Sequence, residues 1–246
     1  MKSSLKYALP LALASLAACG ERGGGTAKVA FANGTGALMN VMSSPLSSFA
    51  PFATEEASTF QMKLIAVYLT EDIAEGTGNN VGQTAMVYLN NDCQDDIMHC
   101  DISGGNAEDG QPMSKVISSY FDFAQDSAAV NTAINAQGRS ISAGTYKYAR
   151  IEFCKYNNEN ANNIKWAAAS TPGTVTEFKR NSCTVNSAEF ATPITVTEGG
   201  SVTVTLSYDL SATVETGASS QSGDSCTGTS APYTCFTMPT FVPSAQ

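Results

Sequence analysis

Apolar and polar residues alternate along several stretches of this chain, most clearly over residues 144–156. After a turn glycine, Tyr146, Tyr148, Arg150, Glu152 and Cys154 fall on one side. Lys147, Ala149, Ile151, Phe153 and Lys155 fall on the other. A period of two with aromatic and β-branched residues predicts a strand. Residues 27–32 predict a short first strand, closed by the turn pair Asn33-Gly34. Over residues 60–70, Phe60, Met62, Leu64, Ala66 and Tyr68 share one face and Ile65, Val67 and Leu69 the other. Both faces are apolar, which predicts one central strand.

Residues 71–83 read as an acidic, Gly/Asn-rich loop and 84–90 as the strand that follows it. Residues 37–58 carry Pro45 and Pro51 among apolar positions and read as an irregular covering segment. Residues 114–123 fit either a helix or a strand. Asp126 or Ser127 caps a short helix running to Ala136 and stopped near Gly138. Further strands are expected at 164–169, 174–179 and 182–186. Residues 193–197 and 201–213 form a last pair joined by Glu198-Gly199-Gly200. In the second of these, Val202, Val204, Leu206, Tyr208 and Leu210 face inward, as in a half-buried antiparallel strand. Residues 216–231 read as a loop, and 233–242 as a terminal strand or covering segment. The sum is an all-β chain of about eight or nine strands with one or two short helices. An antiparallel two-sheet β-sandwich is the expected architecture.

The first 18 residues break this pattern. Lys2 and Lys6 precede a run of about a dozen apolar residues, too short to span a bilayer, and Ala17 and Ala18 precede Cys19. This predicts a signal peptide over 1–18, a Gly-rich tether over 19–25 and a single folded domain over 26–246. Leu16-Ala17-Ala18-Cys19 resembles the lipobox of bacterial lipoproteins. That resemblance implies cleavage before Cys19, diacylglycerol on its thiol and acylation of the new amino group. Two or more acyl chains make attachment to a membrane stable. Gly20 after the cysteine, rather than an aspartate, implies the outer membrane, with the domain facing the periplasm or the cell surface.

Charge narrows the partners. Charged residues make up 14% of the chain, against roughly 25% in an ordinary soluble domain. Formal net charge is −9, and without Lys2 and Lys6 it becomes −11. An acidic body argues against nucleic acid and against peripheral binding to anionic lipid. Hydroxyl and amide side chains take the place of ions, which suits an extracellular β protein. The end of the chain shows no membrane strand, so an outer-membrane barrel is not expected.

Two further segments carry a family likeness: Ser142-Ala143-Gly144-Thr145-Tyr146-Lys147-Tyr148-Ala149-Arg150-Ile151-Glu152 and Glu198-Gly199-Gly200-Ser201-Val202-Thr203-Val204-Thr205-Leu206. With the lipobox, the tether and the Tyr120-Phe121-Asp122-Phe123 region, their order resembles the bacterial lipoprotein domains filed as domain of unknown function 4382. It resembles transthyretin-like sandwiches more loosely. The likeness spans about residues 26–215, implies a surface or periplasm-facing sandwich and brings no catalytic residues with it. Six extra cysteines and long Asn- and Cys-rich loops depart from it.

Those six are Cys93, Cys100, Cys154, Cys183, Cys226 and Cys235. An even count in an exported chain reads as disulfides. The expected pairs join neighbours: Cys93 with Cys100, Cys154 with Cys183, and Cys226 with Cys235. Concentrated chemistry occurs in the loop over 92–101, which holds Asp92, Asp95, Asp96, His99 and Asp101. Carboxylates with backbone carbonyls suit Ca²⁺; His99, Met98 and a thiolate would suit a softer metal. A solvated acidic disulfide loop explains the same residues without any cofactor.

With a single histidine, Ser/His/Asp and Cys/His arrangements have little support. Glu152, Asp122 and Asp209 could act as acid and base only if the fold gathered them. The expected function is therefore non-enzymatic: a lipid-anchored binding, adhesion or envelope-assembly module whose partner is a glycan or an envelope protein. A pilus-like subunit working by strand exchange, marked by an unpaired first strand or a strand-donating tail, is the alternative. A carboxylate-based hydrolase is a more distant one.

Overall fold

The alternating stretches are strands in the computed structural model. It describes residues 24–33, 53–54, 56–93, 100–101, 115–116, 120–124, 127–136, 139–153, 162–179, 184–210, 214–217, 225–227 and 233–245. Along the chain these include β1 (Gly24–Asn33), β2 (Ala53–Thr54), β3 (Ala57–Met62), β4 (Ala66–Ile73) and β5 (Asn80–Leu89). A 3₁₀ turn (Asn91–Cys93) precedes β6 (Cys100–Asp101), β7 (Lys115–Val116) and β8 (Phe121–Asp122). Helix α1 (Ser127–Asn135) precedes β9 (Arg139–Ser142), β10 (Gly144–Tyr146) and β11 (Tyr148–Glu152). Then come β12 (Asn162–Ala168), β13 (Thr176–Lys179), β14 (Thr184–Asn186), β15 (Ile194–Val196) and β16 (Ser201–Tyr208). The last are β17 (Val214–Gly217), β18 (Ser225–Thr227), β19 (Tyr233–Phe236) and β20 (Val242–Ala245).

These strands build four four-stranded sheets, in the orders β20-β16-β1-β9, β14-β11-β4-β5, β13-β12-β3-β8 and β18-β19-β17-β2. Two-stranded sheets join β10 to β15 and β6 to β7. The all-β, sandwich-like class expected from the pattern is what the chain adopts, with more and shorter strands.

Pairing departs from the sequence reading at several places. Residues 60–70 are two strands in two different sheets. The residues that reach the main core are the even-numbered Phe60, Met62 and Leu64, then the odd-numbered Val67 and Leu69. A change of parity means the chain has crossed to another surface, since a strand cannot turn its face over in one step. Ile65, Ala66, Leu89 and Cys93 form a small separate apolar cluster at this crossing.

The 144–156 stretch also divides, at Lys147. Tyr146 is buried together with Ala149, Ile151 and Phe153, so it leaves the face expected to carry Tyr148. Lys147 keeps its backbone bonds, donating to Thr70 O at 3.0 Å and accepting from Phe190 N at 2.8 Å. Residues 71–83 are not one loop, because β4 and β5 extend into them and leave a turn over 74–79 in which Gly76 has φ 78°. Nor do β15 and β16 pair with each other. β15 pairs with β10, and β16 lies between β20, antiparallel, and β1, parallel.

β1 starts at Gly24, inside the stretch read as tether. Gly24 O accepts from Gly199 N at 3.0 Å, and Thr26 N donates to Gly200 O at 2.8 Å. A Cβ on Gly25 would lie 2.5 Å from Val196 Cγ1 and 2.7 Å from Thr197 O. Glycine is required there by close backbone approach rather than by flexibility.

The other edge of β1 is covered in two ways. Its first part, Gly24 to Ala27, pairs antiparallel with β9. Beyond that, α1 supplies side-chain amides. Asn135 accepts from Val29 N at 3.1 Å and donates to Val29 O at 2.7 Å. Asn131 accepts from Phe31 N at 2.7 Å and donates to Phe31 O at 3.0 Å. One helical turn separates the two asparagines, and two strand residues separate their targets, so each amide takes the place of a peptide group on a neighbouring strand.

The main core is aromatic at its centre. Phe123 meets Phe31 edge to face at 5.2 Å, and Tyr208, Phe153 and Phe60 at 5.8, 6.1 and 6.3 Å. The fully buried Tyr208 hydroxyl donates to Phe123 O at 2.6 Å. Burial holds the Tyr208 phenol far above its ordinary pKa, with the Asp122 charge adding to the effect. It therefore remains a neutral donor that ties the β1–β16 sheet to the residue just after β8.

Candidate functional site

On the sheet of β13, β12, β3 and β8 the inward positions are Phe178, Trp166, Ile164, Phe60 and Met62, all buried. Parity puts the residues between them on the solvent face. Register aligns four of those in one row: Glu177 opposite Lys165, Lys165 opposite Gln61, and Gln61 opposite Asp122. Gln61 Nε2 donates to Asp122 Oδ2 at 3.1 Å. The other carboxylate oxygen, Oδ1, accepts from Phe60 N at 3.2 Å and Ala124 N at 3.0 Å. Lys165 Nζ lies 3.8 Å from Glu177 Oε1.

Tyr120 completes this face. Lys165 Nζ is 4.5 Å and Lys63 Nζ 5.1 Å from its ring centroid, inside cation–π range. Partial burial raises the Tyr120 pKa, and the Glu177 charge raises it further. The row thus offers carboxylate acceptors, an amide, two ammonium groups and an aromatic ring on a rigid sheet. Its two acids balance its two lysines, in a chain whose net charge is −9. Sequence reading missed this row. Its signal was the polar residue between each pair of apolar ones, but only pairing register brings Gln61, Asp122, Lys165 and Glu177 together.

A second group lies on the outer side of β11. Arg150 Nε is 3.6 Å from Glu152 Oε1, and Arg150 Nη1 donates to Asn80 Oδ1 at 3.2 Å. Desolvation raises the Glu152 pKa and the Arg150 charge opposes it. The three acids considered for catalysis have separate settings. Glu152 faces Arg150, Asp122 is bound by Gln61 and two backbone amides, and Asp209 follows β16.

Much of the acidic loop lies outside the described residues, including Asp95, Asp96 and His99. Asp92 sits in the 3₁₀ turn, and Asp101 in β6. Cys93 is fully buried and disulfide-bonded, so its sulfur supplies no thiolate to a metal. The turn that carries it is fixed by Asn90, whose Nδ2 donates to Leu64 O at 3.0 Å and whose carbonyl accepts from Cys93 N at 2.9 Å. Cys100 opens β6, which pairs parallel with β7. Cys235 is also disulfide-bonded, and Cys226 stands directly opposite it in the β18–β19 register. Cys154, Cys183 and Cys19 lie outside the described residues. Among the described residues, no three His, Cys, Asp or Glu side chains gather as a metal site.

Of the two marks of the strand-exchange alternative, an unpaired first strand or a strand-donating tail, the described residues bear on the first. β1 is paired with β16 on one edge, and covered by β9 and α1 on the other. Among the described residues no helix is long and apolar enough to cross a membrane. Comparison with family models, curated proteins and solved structures finds no match to this chain.

Proposed function

We propose that this chain is an exported, lipid-anchored, non-enzymatic binding module that recognises a glycan through the Glu177–Lys165–Gln61–Asp122 row. The lipobox-like Leu16-Ala17-Ala18-Cys19 supports the anchor. The observation that carries the binding role is the row itself: four polar side chains in register across four strands, beside Tyr120. Sugar hydroxyls both donate and accept, and an amide between a carboxylate and an ammonium offers both in a small area. A near-neutral face in an acidic chain also lowers long-range repulsion from acidic polysaccharide. No step of covalent chemistry is assigned to these residues.

The test has two parts. Intact mass of the membrane-extracted protein should show a chain beginning at an acylated Cys19. The same extracted protein on a glycan array should bind a defined set of sugars, and Gln61→Ala and Lys165→Ala should each lower that binding at least tenfold. An unmodified Cys19 refutes the anchor. Absence of glycan binding, or variants that bind as the parent does, refutes the recognition face.

A further inference from the structure

The anchor and the fold together set which end of the domain meets the bilayer, an inference that rests on lipidation of Cys19. Only residues 20–23 lie between Cys19 and the first residue of β1. Five Cα steps at ~3.3–3.6 Å reach at most about 18 Å. From Gly24 onward the chain is fixed, by the Gly199 N to Gly24 O bond and by the absence of room around Gly25. The lipid therefore acts on a rigid point, the Gly24 end of β1.

Neighbouring strands show what else lies at that end. Gly24 is opposite Ser142 of β9, and Gly144 of β10 is opposite Val196 of β15. Gln83 Nε2 donates to Ala143 O at 3.1 Å, which puts the start of β5 beside them. Further along, Arg139, opposite Ala27, donates to Met86 Sδ at 3.5 Å. So β5 runs from Gln83 to Met86 as β1 runs from Gly24 to Ala27. The 74–79 turn before β5 then lies at the anchored end, with the Glu198-Gly199 turn. Leu89 and the Asn91–Cys93 turn lie at the far end. Nine strand steps from Asn80 to Leu89 span about 30 Å.

We propose that the acylated protein stands end-on to the bilayer, with the 74–79 and 198–199 turns facing lipid and the Cys93 turn facing outward. The binding row goes with the far end, because Phe60, next to Gln61, packs through Phe123 onto Phe31, seven residues along β1 from Gly24. Glu71, Glu75 and Glu198 make the lipid-facing end acidic. It has no affinity of its own for anionic lipid, so acyl chains and a short tether hold it there.

The test uses the acylated full-length protein in phosphatidylethanolamine/phosphatidylglycerol vesicles with acceptor-labelled headgroups. A genetically encoded fluorescent amino acid is placed at exposed Thr77 or exposed Asn91, the two ends of one hairpin. Energy transfer should be at least twofold greater from 77 than from 91. A ten-residue Gly/Ser insertion after Arg22 should bring the two closer together. Equal transfer, or greater transfer from 91, in protein that is acylated and floats with vesicles overturns the stance and leaves the anchor standing. Protein that is not acylated by mass, and does not float, overturns both.

Discussion

Removing the two asparagine amides of α1 should destabilise the domain far more than an average change on a helix surface. Asn131→Ala leaves Phe31 N–H and C=O without their side-chain partners, and Asn135→Ala does the same for Val29. An unsatisfied buried backbone group costs about 1–3 kcal/mol. These bonds are part-buried, so water recovers some of that, and alanine gains about 0.5 kcal/mol of helix propensity over asparagine. The net expectation is about 1–2 kcal/mol for each single variant and about 2–4 kcal/mol for the pair. Urea unfolding followed by Trp166 fluorescence, with the core otherwise intact, reads this as a lower midpoint at unchanged slope. Thr132→Ala, on the exposed side of the same helix, is the control and should fall within about 0.5 kcal/mol of the parent. Asn131→Asp separates donor from acceptor, since it keeps the acceptor for Phe31 N–H and loses the donor for Phe31 C=O. If the double variant unfolds within about 0.5 kcal/mol of the parent, the amides are not acting as a strand surrogate.

Other consequences follow from the same structure. Tyr208→Phe keeps the buried ring but strips Phe123 O of its 2.6 Å donor, and should cost about 1–3 kcal/mol by denaturant titration. Gly25→Ala forces a Cβ against Val196 and the Thr197 carbonyl and should cost about 1–3 kcal/mol, whereas Gly173→Ala, with open space around it, should be close to neutral. Glu152 has a raised folded pKa, so the native state binds its proton more tightly than the unfolded chain does. Its contribution is therefore favourable at low pH and is lost as pH rises from the ordinary glutamate value through the folded one. Comparing unfolding midpoints of the parent and Glu152→Gln across that window should show a decline with pH that is shallower in the variant. An identical pH dependence in the two would refute the assignment.

Strand content was legible in the sequence because alternation records which side of a strand is dry. The helix over 127–135 was legible from its capping residue and the stop near Gly138, and it buries Val130 and Ile134. Pairing was not legible. A run such as 60–70 looks like one central strand unless the shift of main-core positions from even to odd between Leu64 and Val67 is taken as a crossing. Likewise β15 and β16 look like a hairpin across Glu198-Gly199-Gly200, yet each finds a partner elsewhere, because the Gly199-Gly200 turn packs on Gly24 and Gly25. The candidate row was hidden for the same reason. Its four members come from four segments, and each looks like an ordinary exposed strand residue until register aligns them. Cys93 was singled out by spacing, but its complete burial depends on the fold around Leu89 and Ala66.

β1 also bears on the order in which the core can close. It is the first strand among the described residues, and its longest partner is β16, more than 160 residues later, in parallel. Its other edge needs β9 and α1. The main core cannot close around Phe31 until Tyr208 and Phe241 have been added, since both rings pack against it. Such long-range pairing slows closure, because the loop entropy is spent before the contacts form. On the anchoring proposed above, a chain whose first strand pairs this late would complete its core only after that strand has been brought to the membrane. The same arrangement accounts for the double cover on β1. A strand that waits for partners on both edges is exposed to pairing with other chains. Asn131 and Asn135, only a hundred residues away, seal the edge that β9 is too short to reach.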